Sequence, residues 1–185
     1  VVARADLPAR GSARAPEDRS ATTGAGTIFA IAAVMSHRRP PRLPSFDYAG
    51  HHRYFLTMCA LRRQPLFVSA ETVRAASTQF LRTAAEQKFA ILAYTFMPDH
   101  FHAVVEGTDD AADLRRFASL FRKRATVACC RPGRRLWQNG YYERVLWPGA
   151  NVLAVIDYVI DNPVRAGLVE KATDYGFSWS VTFER

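Results

Sequence analysis

The sequence predicts an α+β fold of the ferredoxin-like kind: a split β-α-β plan with an antiparallel sheet, helices on one face, and a C-terminal helix carrying a tyrosine. Three observations lead there. Short runs rich in aromatic and β-branched residues alternate with amphipathic helical stretches in the order β-α-β-β-α-β-α. Pro98-Asp99 forms a tight turn between two such runs, because proline presets φ and aspartate tolerates turn geometry. The chain of 185 residues is 49% hydrophobic, enough for one domain with a real core.

The first strand is expected over His52–Ala60. Ser69 is a good N-cap for a first helix running to about Lys88, with Val73, Ala76, Phe80, Leu81 and Ala84 at helical spacing. Phe89–Met97 and His100–Glu106 read as a hairpin. Within the latter, Phe101 and Val104 are taken as one apolar register that Val105 interrupts. A second helix is expected from Asp109 to about Cys130, on Leu114, Phe117, Leu120 and Phe121, with Pro132-Gly133 ending it. Tyr141–Leu146 is a fourth strand. The third helix runs from about Ala150 on Leu153, Ile156, Val159 and Ile160. It should end near Asn162, because a residue before proline avoids the α region.

Residues 1–42 stand apart. Residues 1–26 are rich in Ala, Arg, Ser, Thr and Pro, an apolar run spans 27–34, and a basic, proline-rich arm follows. The segment loosely resembles a signal peptide, but its apolar run is short and its arginines lie far upstream. Met35 is read as a plausible start, with the residues before it a disordered or over-extended segment and the working domain spanning 43–180. No apolar run approaches the roughly 18 residues of a membrane span, so no membrane partner is expected. Cys59, Cys129 and Cys130 have no zinc-type spacing, and a reducing, cytoplasmic setting is expected.

The chemistry concentrates in two places. On a strand, His100 and His102 project to one face and Phe101 to the other. Two imidazoles on one face can share a metal ion, although such pairs are more often structural. On a helix, Tyr158 and Asn162 share a face at i, i+4. Imidazole nitrogens with an amide oxygen suit Mg2+ or Mn2+ holding a phosphate. That pattern suggests phosphoryl transfer with tyrosine as nucleophile. The bland alternative for Tyr158 is a ring packed in a core with its hydroxyl exposed.

Net charge is +8 and the sequence pI about 9.9, which favours a polyanionic partner. No acidic residue lies between Leu114 and Tyr142, where Arg115, Arg116, Arg122, Lys123, Arg124, Arg131, Arg134 and Arg135 fall. Guanidinium forks suit phosphate oxygens, so this stretch is read as a nucleic-acid-binding face. Trp137, Tyr141 and Tyr142 could stack on unpaired bases or belong to the core.

Met97-Pro-Asp-His-Phe-His102, Leu136-Trp-Gln138 with Tyr141-Tyr142, and Asp157-Tyr-Val-Ile-Asp-Asn-Pro-Val-Arg-Ala-Gly-Leu-Val169 together resemble the single-tyrosine HUH transposases, and more closely the REP-associated tyrosine transposases. The likeness covers about residues 43–180, including Asp174-Tyr-Gly-Phe-Ser-Trp-Ser180. It implies the same α+β fold. It implies that His100 and His102 are metal ligands, and that Tyr158 attacks a DNA phosphate to leave a 5′-phosphotyrosine and a free 3′-hydroxyl. Four residues past the tyrosine the family often has a further ligand. Here Asn162 stands at that position, and Asp161 or Glu143 could share the role. The expected activity is a divalent-metal-dependent endonuclease and strand transferase, a transposase acting on single-stranded or hairpin DNA, with a homodimer left open. The alternatives are an inactive hairpin DNA- or RNA-binding protein and a metal-dependent phosphodiesterase using water.

Overall fold

The computed structural model describes residue 43 and residues 45–182. The amino-terminal segment, the basic arm with His37, and the reading of Met35 as a start therefore lie outside the described residues. Five strands form one antiparallel sheet: β1 (Arg53–Cys59), β2 (Phe89–Met97), β3 (His100–Gly107), β4 (Tyr142–Leu146) and β5 (Ser178–Ser180), in the spatial order β4-β1-β3-β2-β5. Helices α1 (Ala70–Glu86), α2 (Leu114–Cys129) and α3 (Val152–Ile160) complete the domain. β3 is thus the central strand, as the hairpin reading expected.

Alternation along the strands divides the interior in two. Tyr54, Leu56 and Met58 of β1 and Phe101, Ala103 and Val105 of β3 face α1 and α2. Phe55 and Val104 face α3. Phe101 and Val104 therefore lie on opposite faces, not on one register. β3 lacks polar–apolar alternation because both of its sides are covered, and it reads as a nearly continuous apolar run. The larger core is a cluster of rings in which Phe101 lies 4.9 Å from Phe80, 4.5 Å from Phe96 and 5.4 Å from Phe121, centroid to centroid.

Ser69 caps α1, accepting from the Thr72 amide at 3.2 Å. The second helix begins later than expected. Asp109 closes a separate turn by accepting from the Ala111 amide, and Asp113 is the true cap, accepting from the amides of Arg115 and Arg116 at 2.7 and 3.1 Å. Leu81 and Leu153, assigned to apolar stripes, are 48% and 61% exposed. Each falls past the edge of the buried arc, which α3 centres on Val155 and Val159. α3 stops at Ile160, but the chain resumes as one helical turn, Asn162–Arg165, with Pro163 in its first turn. A first-turn proline forfeits no helical hydrogen bond, so the break is softer than a full stop. β5 escaped the sequence reading because three residues carry no periodicity.

Gly107 fixes the end of β3. A β-carbon there would lie 2.1 Å from the Gly50 carbonyl oxygen, while the Gly107 amide donates to His52 at 2.9 Å. The three cysteines are free thiols.

Candidate active site

The face covered by α3 carries two rows of side chains fixed by strand register. One row runs Tyr142, Thr57, His102, Thr95, Ser178 across all five strands. The next has Cys59, His100 and Met97. The two imidazoles therefore sit at the centre of the sheet, on one side, with ring centroids 4.7 Å apart and planes at 86°. His102 is fully buried and His100 is 6% exposed.

Each ring is anchored through Nδ1. His102 Nδ1 lies 2.8 Å from Thr57 Oγ1. His100 Nδ1 lies 2.6 Å from Asp99 Oδ1, and the other Asp99 oxygen accepts from Arg63 Nε at 2.8 Å. Among the described residues, Nε2 of neither histidine has a hydrogen-bond partner, although both atoms are buried. Two orphaned buried ring nitrogens are costly unless something occupies them. Anchoring one nitrogen while leaving the other bare is the arrangement of metal-bound histidines, whose second nitrogen is held by a carboxylate or hydroxyl. The donor set thus fits a divalent cation. Burial, reinforced by the neighbouring His100 and Arg63 charges, holds His102 well below the usual histidine range, so it is neutral and able to ligate at pH 7. Burial pushes Asp99 upward, but the His100 hydrogen bond and the His100 and Arg63 charges outweigh it and hold the carboxyl below its ordinary value.

α3 lays Tyr158 beside this pair. Asn151 caps the helix by accepting from the Ala154 amide at 3.0 Å, which sets the register of the residues that follow. The Tyr158 ring is 6.2 Å from that of His102 and 6.1 Å from that of Phe55, and Phe55 stacks on His102 at 5.5 Å. The guanidinium of Arg165 lies 4.8 Å from the Tyr158 ring centroid. Burial raises the phenol above its ordinary value of about 10, and Arg165 opposes that.

The other sequence-derived candidates fare differently. The Asn162 amide nitrogen donates to the Tyr158 carbonyl at 2.6 Å, a local helical bond. Glu143 pairs with Leu56 and so belongs to the opposite face of the sheet from the histidines, while Asp161 is exposed. Among the described residues, no group of three or more His, Cys, Asp and Glu side chains is arranged to hold a metal. α2, with its arginines, packs on the Phe101 face, away from Tyr158. Arg124 is tied to Glu86 at 2.6 Å, Arg122 to the Gln138 carbonyl, and Arg135 to Asn139. Arg115 lies over the Tyr48 ring at 4.7 Å. Arg116, Lys123 and Arg134 are exposed. Trp137 is 3% exposed between Phe67 and Phe121 and belongs to the core. Tyr142 is half-buried on the histidine face, 6.0 Å from Phe55.

Thr57, Phe55, Arg63 and Arg165 were not singled out in the sequence. Thr57 and Phe55 meet the histidines only through strand pairing, which no local pattern encodes. Asp99 was legible as a turn residue, and its position next to His100 was the available signal for its second role.

No family model matches the chain. A REP-associated tyrosine transposase of Escherichia coli (strain K12) is 30% identical over 111 residues, spanning 57% of this chain and 61% of that protein. The chain thus matches less than two thirds of the length of that relative. A solved structure of a REP-associated tyrosine transposase bound to a REP hairpin superposes with a TM-score of 0.63 at 23% identity, covering 78% of this chain and 82% of the other. That likeness carries the fold: the five-stranded antiparallel sheet with helices packed on it. The family resemblance expected from the sequence is borne out by the Escherichia coli relative, and the expected fold by the solved structure.

Proposed function

Starting from a chain similar in sequence and in fold to the REP-associated tyrosine transposases, we propose that this protein is a transposase. It nicks and rejoins single-stranded or hairpin DNA, with Tyr158 as nucleophile and Mg2+ or Mn2+ held by His100 and His102. The observation that carries the reading is the pair of buried Nε2 atoms beside Tyr158, unpartnered among the described residues, each on a ring anchored by Nδ1.

The chain's own residues have distinct tasks. Thr57 and Asp99 fix the imidazole orientations and leave Nε2 as the ligating atom. Phe55 packs against both His102 and Tyr158 and holds the two rings in place. Tyr158 attacks the phosphorus through its phenol oxygen. A bond forms from that oxygen to phosphorus, and the bond to the 3′-oxygen breaks. The phenol gives up its proton and the departing 3′-oxygen takes one up, leaving a 5′-phosphotyrosine and a 3′-hydroxyl. The bond energy is retained, so attack by a 3′-hydroxyl can reverse the step. A bound divalent cation would neutralise charge on the scissile phosphate and ease ionisation of the buried phenol. Asn162 donates to the Tyr158 carbonyl through Nδ2, which leaves its Oδ1 as the atom that would complete the ligand set.

The unit that carries this activity is residues 43–180, working in the cytoplasm, alone or as a homodimer. Among the described residues no helix is long and apolar enough to cross a membrane. A second reading, a hairpin-binding protein without cleavage, draws on the lack of a third acidic, histidine or cysteine ligand among the described residues. Incubation with a labelled hairpin oligonucleotide and Mn2+, followed by a denaturing gel, separates the two: only the transposase gives a covalent band. A band that persists in Tyr158→Phe would refute the nucleophile assignment.

A further inference from the structure

We infer that Arg165 and Arg144 hold the phosphate of the cleaved strand against Tyr158, an inference that rests on the transposase reading above. The sequence points to α2 as the phosphate-binding element, yet α2 packs on the opposite side of the sheet from the nucleophile. The strand being cut must instead cross the face that carries Tyr158, and that face has its own cations. Arg165 is exposed, one helical turn beyond Asp161, with its guanidinium 4.8 Å from the centre of the Tyr158 ring. Arg144 shares the face through its pairing with Phe55, whose ring contacts Tyr158 and Tyr142 alike.

Neither arginine has an acidic partner among the described residues, whereas Arg53, Arg63, Arg82 and Arg124 are each paired with a carboxylate. Cations already paired with a carboxylate of the same chain are poorly placed to bind a second anion. Arg165 and Arg144 are free to do so, and a guanidinium fork matches the two non-bridging oxygens of a phosphodiester. Arg165 stacked on the tyrosine ring would hold those oxygens beside the attacking atom, and Arg144 with Tyr142 would carry the strand onward past β4. Arg165 is thus a substrate-positioning residue, and the ligand class is the single-stranded phosphodiester backbone.

Two measurements on the full chain test this. The first is affinity for a single-stranded oligonucleotide as a function of salt, which needs no cleavage. Arg165→Met and Arg144→Met keep an apolar stem, and each should lower the slope of log affinity against log salt by roughly 0.7. Unchanged slopes in both variants overturn the inference. The second is the rate of covalent adduct formation at saturating oligonucleotide. Arg165→Met should slow it by about 100-fold, the usual loss for a removed electrostatic contact to a reacting group. Arg165→Lys should recover at least about a tenth of the wild-type rate. Equal loss in Met and Lys variants with unchanged salt slope means that Arg165 only packs on the ring. A wild-type protein that forms no adduct sinks the transposase reading, and the salt slopes still decide whether these arginines touch phosphate.

Discussion

His102 Nδ1 and Thr57 Oγ1 are 2.8 Å apart, joined across two neighbouring strands at directly paired positions. This bond decides which nitrogen of His102 remains available, because a ring fixed at Nδ1 offers only Nε2 to a ligand. It also ties the site to the sheet, so the orientation of the imidazole depends on β1 pairing with β3.

Thr57→Val keeps the shape of the side chain and removes the hydroxyl. Divalent-metal affinity should fall by about 10- to 100-fold, as it does when the groups supporting metal-bound histidines are removed. Titration calorimetry with Mn2+ reads this directly. Asp99→Asn should act likewise on His100, and equal Mn2+ affinity in both variants and wild type would mean the bonds are structural only. Excess EDTA should abolish adduct formation, as should His100→Ala and His102→Ala.

Tyr158→Phe removes one oxygen from a side chain that is 6% exposed. The fold and the hairpin affinity should persist, since backbone phosphate contacts dominate binding. The covalent band should vanish. Retention of cleavage at the wild-type rate would make water or another tyrosine the nucleophile.

Much of this was legible beforehand. The histidine pair, the tyrosine and the hairpin all sit in short segments whose spacing fixes their face. What the sequence conceals is which layer a helix joins. α2 has both an apolar stripe and a basic face, so its charges read as a binding surface. The pairing of Arg124 with Glu86 and of Arg122 with Gln138 involves residues far away along the chain or in an irregular loop. Glu143 lies on the face away from the histidines for a related reason. Its face is set by the register of β4 against β1, and one residue of shift reverses it.

Arg122→Ala and Arg124→Ala should therefore act chiefly on stability. Each removes a bond that ties α2 to α1 or to the loop after it, so melting temperature should drop in both and stay unchanged in the exposed Lys123→Ala. A drop in Lys123→Ala equal to that in Arg124→Ala would show that the paired geometry contributes nothing.

Alkaline pH should destabilise the domain. Burial, aided by the charges of Tyr48, Asp113 and Asp47, raises the Tyr54 phenol far above its ordinary value, and burial raises Tyr142 and Tyr175. In the unfolded chain these groups ionise near pH 10, while the folded protein keeps their protons. Above that pH the unfolded state binds fewer protons than the native state, so stability is full below about pH 10 and falls as pH rises. Each such group contributes a slope of at most about 1.4 kcal/mol per pH unit. Melting curves should show a decline starting near pH 10, and Tyr54→Phe should make it shallower. A flat profile to pH 11.5 would contradict the burial of these phenols.

Gly107→Ala tests how the end of β3 is held. The added methyl would meet the Gly50 carbonyl oxygen at 2.1 Å, with the Ala112 β-carbon at 3.2 Å on another side. The first obstacle is backbone, so it cannot rotate away as a flexible side chain would. Gly50 itself has φ of 95°, a conformation that a shift would have to preserve, and its amide donates to the Ala112 carbonyl at 3.0 Å. Relief must come from parting the segment before β1 from the end of β3, which strains the bond from the Gly107 amide to His52. The expected cost is about 1–3 kcal/mol, typical of overpacking, and thus several degrees of melting temperature for a domain of this size. The strain lies at the opposite end of β3 from the histidines, so Mn2+ affinity below the transition should be unchanged. A melting temperature equal to that of wild type would mean that the Gly50 loop does not pack against the strand as described.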